Sequence, residues 1–274
     1  MQTLWLSALL FSVSLVSSHA QSAPSAPSAA VASVASCSQS KPQQPEFQLT
    51  EPPPQPTVPD LTRYLNKPTL LTFCTSQVGS FNDRDPQIIF IGDSITQGWL
   101  STGRAVWEAN FAPLGALDFG VSGDQTQHVL WRMSVYPIQR FHPKVAVILI
   151  GTNNLHNTPE EIAAGVKAII ARTQQLYPGI HIILNSIMPN RRANELMMAT
   201  DAILRTFADG DRVIYLDLVP LMPPVGDTWK GLGPGALHPT ADGYQLWADA
   251  LLPLVHRFVP ALSDTSEAAP THPQ

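Results

Sequence analysis

Residues Gln87 to Thr96 constrain this chain more than any other stretch. Four apolar residues, Ile88-Ile89-Phe90-Ile91, run without a polar interruption and stop abruptly at Gly92-Asp93-Ser94. A short run of β-branched and aromatic residues of this kind suits a strand buried on both faces, which is the environment of a parallel sheet. Gly92 lets the chain turn sharply as it leaves the sheet. Ser94 is thereby placed at the carboxyl edge of a strand, where open α/β sheets bind ligands. It is either a nucleophile or the cap of the next helix, since serine is a favoured N-cap.

The pattern then repeats. Apolar runs at Ala116–Phe119, Val145–Ile150, Ile180–Ile187 and Val213–Leu216 alternate with segments of helical periodicity. The clearest helix opens at Thr158-Pro159-Glu160-Glu161, with a threonine cap, a proline in the first turn and early acids. Ile162, Val166, Ile169, Ile170 and Leu176 mark its apolar face, and Tyr177-Pro178-Gly179 ends it. Further helices are expected over Ala193–Ala208 and Thr240–Phe258, the latter with Pro253 near its end. Strand–helix alternation implies a parallel sheet covered on both faces, and right-handed crossovers leave few topologies. The expected fold is α/β, a doubly wound five-stranded parallel sheet in the flavodoxin-like order 2-1-3-4-5.

Ahead of this domain the composition changes. Leu4 to Val16 is an apolar segment too short for a comfortable membrane span. Ser18-His19-Ala20 follows it, and the pair fits a signal peptide of residues 1–20, although its start carries no Lys or Arg. Residues 21–59 are rich in Pro, Ala, Ser and Gln and read as a tether. Residues 60–85 carry enough apolar side chains to pack on the domain as a preamble, the domain itself spans 86–262, and 263–274 form a tail. Export to the periplasm, envelope or medium is the expectation. Cys37 and Cys74 could form one bridge in such a compartment, and Cys37 stands in a weak lipoprotein-like box. With 16 basic and 21 acidic residues and a net charge of −5, the chain lacks the cationic surface that nucleic-acid binding requires. No metal or other cofactor is expected, because neither a His-Glu-x-x-His motif nor a cysteine cluster is present.

The chemistry-bearing residues fall at the expected strand ends. Ser94 follows the first strand, and the turn Gly120-Val121-Ser122-Gly123-Asp124 follows the second. Gly151-Thr152-Asn153-Asn154 follows the third, and Leu237-His238-Pro239 precedes the last helix. A nucleophile, hydrogen-bond donors and an imidazole are the parts of an acyl-transfer site.

These four blocks resemble those of the SGNH, or GDSL, hydrolases, over about Gln87 to Phe258. The branch most resembled is the catalytic subunits of intracellular platelet-activating-factor acetylhydrolase, on the strength of Phe119 to Arg132 and of Gly151-Thr152-Asn153-Asn154. The resemblance implies Ser94 as nucleophile and His238 as general base. It implies an oxyanion hole from the Ser94 and Gly123 backbone amides and the Asn153 side chain. Two positions depart from the family pattern. Asp118 stands where Asn is usual, and Gly235 stands where the family's Asp-x-x-His block has its acid. Asp227 is the foremost candidate for a displaced acid, with Asp242 second.

The expected function is that of a serine esterase acting on short acyl, foremost acetyl, esters of carbohydrates or other small molecules. A glycan or small-molecule ester is the expected partner, with no nucleic acid and no integral membrane span in the mature chain. The rival is a catalytically impaired envelope protein that binds acylated glycans, and it rests on Gly235.

Overall fold

The computed structural model describes residues 55–260. The leader, nearly all of the tether, Cys37 and the tail lie outside the described residues. Five parallel strands, β1 (Ile88–Gly92), β2 (Ala116–Gly120), β3 (Val145–Leu149), β4 (His181–Asn185) and β5 (Val213–Leu216), form one sheet in the order β2-β1-β3-β4-β5. The doubly wound topology is the expected one. Every residue of β1, β2 and β3 is buried, which is why their sequences read as uninterrupted apolar runs rather than as alternation.

Helices cover both faces. On one side lie α2 (Pro68–Gly79), α5 (Thr126–Val135), α6 (Pro159–Leu176) and α7 (Asn194–Leu204), packed on a core that includes Ile89, Ile91, Ile148 and Leu184. On the other lie α4 (Arg104–Asn110) and α8 (Ala241–Val255), around Phe90, Trp99, Trp107, Phe111, Tyr244 and Trp247. Fully burying each large apolar side chain contributes on the order of 1.5–3 kcal/mol, so this aromatic cluster is a firm seat for α8. Two bonds orient that helix: Tyr244 Oη donates to Ile95 O at 2.7 Å, and Trp247 Nε1 donates to Asn185 Oδ1 at 3.0 Å. Because His238 lies just before α8, those anchors also fix where the imidazole can stand.

The boundaries of α6 follow from its caps. Thr158 Oγ1 accepts from Glu161 N, and the Glu161 carboxylate accepts from Thr158 N, a reciprocal capping box. Pro253 lies within the last turn of α8.

The preamble packs on the domain through α1 (Thr62–Asn66) and α2. Contact begins at Pro56, ahead of the expected boundary at residue 60: Pro56 O accepts from Thr126 Oγ1 at 2.9 Å. Tyr64 is buried, stacks on Trp131 with ring centroids 5.0 Å apart, and donates to the Asp124 carboxylate at 2.7 Å. Arg132, wholly buried, donates to Asp124 Oδ2 at 2.8 Å and to Phe119 O at 2.8 Å. The preamble is thus bonded to the loop that follows β2. Cys74 is buried, with its sulfur 3.9 Å from Arg132 Nη1.

Candidate active site

Ser94 stands where β1 gives way to the four-residue helix α3 (Ser94–Gln97). Asp93 caps that turn, its Oδ1 accepting from Ile95 N at 2.9 Å. A side chain at position 92 would collide with Thr96 Oγ1 and with the carbonyl of Leu149 on β3, so only glycine lets the chain turn this tightly against the sheet. The serine is half-buried and His238 is exposed. Ser94 Oγ lies 2.9 Å from His238 Nε2, although 144 residues separate them in sequence.

His238 is delivered by a compact loop. Gly233 N donates to His238 O at 2.9 Å, Ala236 N donates to Gly233 O at 2.8 Å, and Ala236 adopts a φ of 47°. Thr240 then caps α8 by accepting from Gly243 N. Although His238 is exposed as a whole residue, partial desolvation of its ring, reinforced by the Arg192 guanidinium, holds the imidazole below its usual pKa.

The Gly123 turn lies beside this pair. Gly123 has a φ of 76°, and a side chain there would strike the Arg63 guanidinium, which donates to Ser122 O. Among the described residues the backbone amides of Ser94 and Gly123 have no hydrogen-bond partner. They are donors without an acceptor.

Asn153 differs from the simple expectation of a free donor. Its Nδ2 donates to Asp124 O at 3.0 Å and, more weakly, to Asp93 Oδ2 at 3.3 Å, while its Oδ1 accepts from Arg192 Nη2 at 3.2 Å. Arg192 also donates to Thr152 O at 2.9 Å. The arginine therefore fixes which end of the amide points at the crevice. The contact to Asp93 is the longer of the two Nδ2 bonds. Burial raises the Asp93 pKa to about 7, against the opposing pull of the Ile95 amide.

No carboxylate is hydrogen-bonded to His238 among the described residues. Asp227, the foremost candidate for a displaced acid, is not bonded to His238 in this structure. It sits exposed in the turn of a small hairpin, β6 (Pro224–Val225) and β7 (Thr228–Trp229), and its carbonyl accepts from Arg191. Asp242 opens α8 and is likewise unbonded to His238. Position 235 is open: a side chain there would meet nothing within 4 Å.

The other departure, Asp118, is fully buried on β2. Its Oδ1 accepts from Gly120 N at 2.7 Å and its Oδ2 has no partner. Burial pushes its pKa well above the carboxylate range. Burial thus favours the protonated form of Asp118, which has nearly the shape and polarity of the usual asparagine.

The histidines away from the crevice have local roles. His128 Nδ1 accepts from Gln125 N in the α5 cap, His142 lies 2.9 Å from Asp85, and His181 stacks on Phe258. No group of three or more His, Cys, Asp or Glu side chains among the described residues could hold a metal. Sequence reasoning missed Arg192, Arg63 and the bond of Tyr64 to Asp124. Arg192 alone carried a usable signal, since it follows the carboxyl end of β4 and so falls at the ligand-binding edge.

A serine–histidine pair, two unpaired amides and an oriented carboxamide, gathered at the carboxyl edge of a doubly wound sheet, have the arrangement of an acyl-transfer site. The chain belongs to the GDSL-like Lipase/Acylhydrolase family, whose pattern matches residues 90–246. It is 34% identical over 154 residues to human platelet-activating factor acetylhydrolase IB subunit alpha1, covering 52% of this chain and 63% of that protein. It is 41% identical over 107 residues to the rat alpha2 subunit, covering 39% and 46%. These matches span less than two thirds of either relative. The fold is similar to that of a lipase/acylhydrolase from Enterococcus faecalis, with a TM-score of 0.51, 20% identity, and 64% of this chain and 98% of that one covered. A lipolytic G-D-S-L protein from Veillonella parvula is similar at a TM-score of 0.51 and 17% identity, over 62% and 98%.

Proposed function

We propose that this protein is a serine esterase that removes short acyl groups, foremost acetyl, from carbohydrates or other small acylated molecules. The single observation that carries the reading is the 2.9 Å approach of Ser94 Oγ to His238 Nε2. Family membership and the acetylhydrolase names of the relatives support the ester and the acetyl group; a phospholipid substrate is not carried over.

In the proposed reaction His238 takes the Ser94 proton as Oγ attacks the ester carbonyl. The amides of Ser94 and Gly123 and the Asn153 Nδ2 hold the oxyanion. Collapse expels the alcohol, which receives the proton from His238, and water then releases the acyl group from Ser94 by the same steps. The depressed imidazole pKa keeps His238 neutral, and so able to accept a proton, at neutral pH. Export belongs to the same reading and rests on the leader pattern; a mature chain beginning near Gln21 is the expected result of mass spectrometry on secreted material.

A second reading, an impaired protein that binds acylated glycans, is favoured by one observation: among the described residues no carboxylate is bonded to His238. Hydrolysis of p-nitrophenyl acetate separates the two. The esterase reading requires turnover that Ser94→Ala abolishes, together with loss of labelling by an organophosphonate. Equal turnover by native protein and Ser94→Ala would end it.

A further inference from the structure

A cavity of about 240 Å³ opens at Ser94, bounded by Phe73, Gln97, Leu100, Ser101 and Ser122. A second, of about 420 Å³, shares Phe73 and Leu100 with it and continues past Gln77, Arg104 and Glu108. The shared side chains make the two one groove, leading away from the serine between α2 and α4. Its size falls within the range of roughly 300–1,000 Å³ that holds drug-sized ligands. One wall is unusual in origin: Phe73 and Gln77 belong to the preamble, upstream of the residues 90–246 that the family matches.

The lining distinguishes among occupants. Apolar side chains, Phe73, Leu100, Trp107 and Ala112, line the groove beside polar ones at both ends, so an occupant with an apolar face and a polar edge fits it. Gln97 Oε1 accepts from Ser122 N at 2.7 Å, which leaves the Gln97 Nε2 hydrogens without a partner among the described residues. At the far end Arg104 and Glu108, 3.6 Å apart and largely exposed, offer donors and acceptors together. Between these polar ends Phe73 and Leu100 present half-buried apolar faces. A floor of this kind with a hydrogen-bonding rim matches a pyranose, which has an apolar face and a hydroxylated edge.

We propose that this groove is a glycan subsite, built in part by the preamble, that holds the sugar units next to the esterified one. Its hydrolytic arm rests on Ser94 as the reacting group; its binding arm does not. The test uses the full-length protein and chemically acetylated xylo-oligosaccharides from monosaccharide to tetrasaccharide, beside p-nitrophenyl esters from acetate to octanoate. In the native protein kcat/KM should rise by about tenfold or more along the saccharide series, equivalent to ~1.4 kcal/mol, and should not rise along the acyl series. Phe73→Ala and Arg104→Gln should each flatten the saccharide slope. Arg104 is exposed, so its variant tests the groove even where Phe73→Ala disturbs packing. Calorimetry on Ser94→Ala should show the same length-dependent tightening, weakened when either substitution is added. Length-dependent binding without hydrolysis would keep the groove and sink the Ser94 reading. A flat saccharide series in both rate and binding would overturn the groove. A preference for octanoate that Phe73→Ala removes would also overturn it, and would assign the groove to the acyl chain.

Discussion

Gly235→Asp restores the carboxylate that the family carries three residues before its histidine. The substitution is sterically permitted, because nothing lies within 4 Å of where the new side chain would begin and Gly235 is not among the residues with positive φ. Two consequences follow from charge. A carboxylate bonded to His238 stabilises the imidazolium formed in the transition state; the loss of that charge in a serine–histidine–aspartate site costs ~10⁴ in rate, which bounds the gain. It also raises the imidazole pKa, by about 1–3 units for an opposite charge at close range. The present pKa is depressed by partial burial and then by Arg192, so the rate of the native protein should persist below pH 6.5. The sign is then fixed. A base works when neutral, so raising its pKa moves the acid limb of the rate profile to higher pH. Measured as kcat/KM for p-nitrophenyl acetate between pH 4.5 and 9, Gly235→Asp should raise the plateau at alkaline pH by between ~10-fold and ~10⁴-fold. It should at the same time lose its advantage toward low pH. A variant whose plateau and acid limb both match the native protein would refute the assignment of position 235 as the vacant acid site. Loss of all activity in a variant with native thermal unfolding would refute it as well.

Asn153→Ala should lower kcat by ~10²–10³ with the fold intact by circular dichroism; an unchanged rate would remove the amide from the oxyanion hole. Arg192→Met should lower kcat, because Asn153 Oδ1 loses its donor, and should also shift the acid limb upward, because a positive charge beside His238 is gone; a fall in kcat with an unmoved limb would leave it only an orienting part. Asp118→Asn should raise Tm at pH 7. The folded pKa of Asp118 is raised, so its cost to stability grows as pH rises above the unfolded value near 4, and the gain in Tm should shrink toward pH 4. Arg132→Met leaves Asp124 buried without its principal cation and should cost on the order of 3–5 kcal/mol in urea unfolding.

The sheet was legible because its strands are buried on both faces. Ile88–Ile91 and Val145–Leu149 needed no partner to be recognised, and α6 announced both its ends through Thr158, Glu161 and Gly179. Ser94, Gly123, Asn153 and His238 were placed because each follows a strand end or precedes a helix, positions that topology sends to one edge. The parts that failed to show depend on contacts between segments distant in sequence. Asp227 looked close to His238 along the chain, but the hairpin turn of Gly226 and Asp227 carries it to the surface. The link of Tyr64 to Asp124 spans 60 residues and has no local signature. Pro56 reads as tether by composition, yet its carbonyl accepts from Thr126, a bond that only the folded partner reveals.

The electrostatics around His238 make the vacancy at Gly235 intelligible as a difference in operating range. In a site with its acid, the carboxylate both strengthens the base and raises its pKa, so the rate is high but falls once the imidazole is protonated. Here burial lowers the ring's pKa, and the Arg192 guanidinium, of opposite sign to a carboxylate, acts in the same direction. The imidazole is held below its usual pKa, so as the base of the proposed reaction it would be weaker, lowering the attainable rate, and would stay neutral further into acid. Arg192 also holds the Asn153 amide in place, so in the proposed reaction the charge that would weaken the base would also orient an oxyanion donor. If His238 is the base of the proposed reaction, the change at Gly235 and the presence of Arg192 push the site the same way, toward a slower reaction less sensitive to acid. Adding the carboxylate and removing the guanidinium should both move the pH limb upward, while only the first should raise the plateau. That opposition in rate, with agreement in pH, is what a site tuned by charge around one imidazole requires.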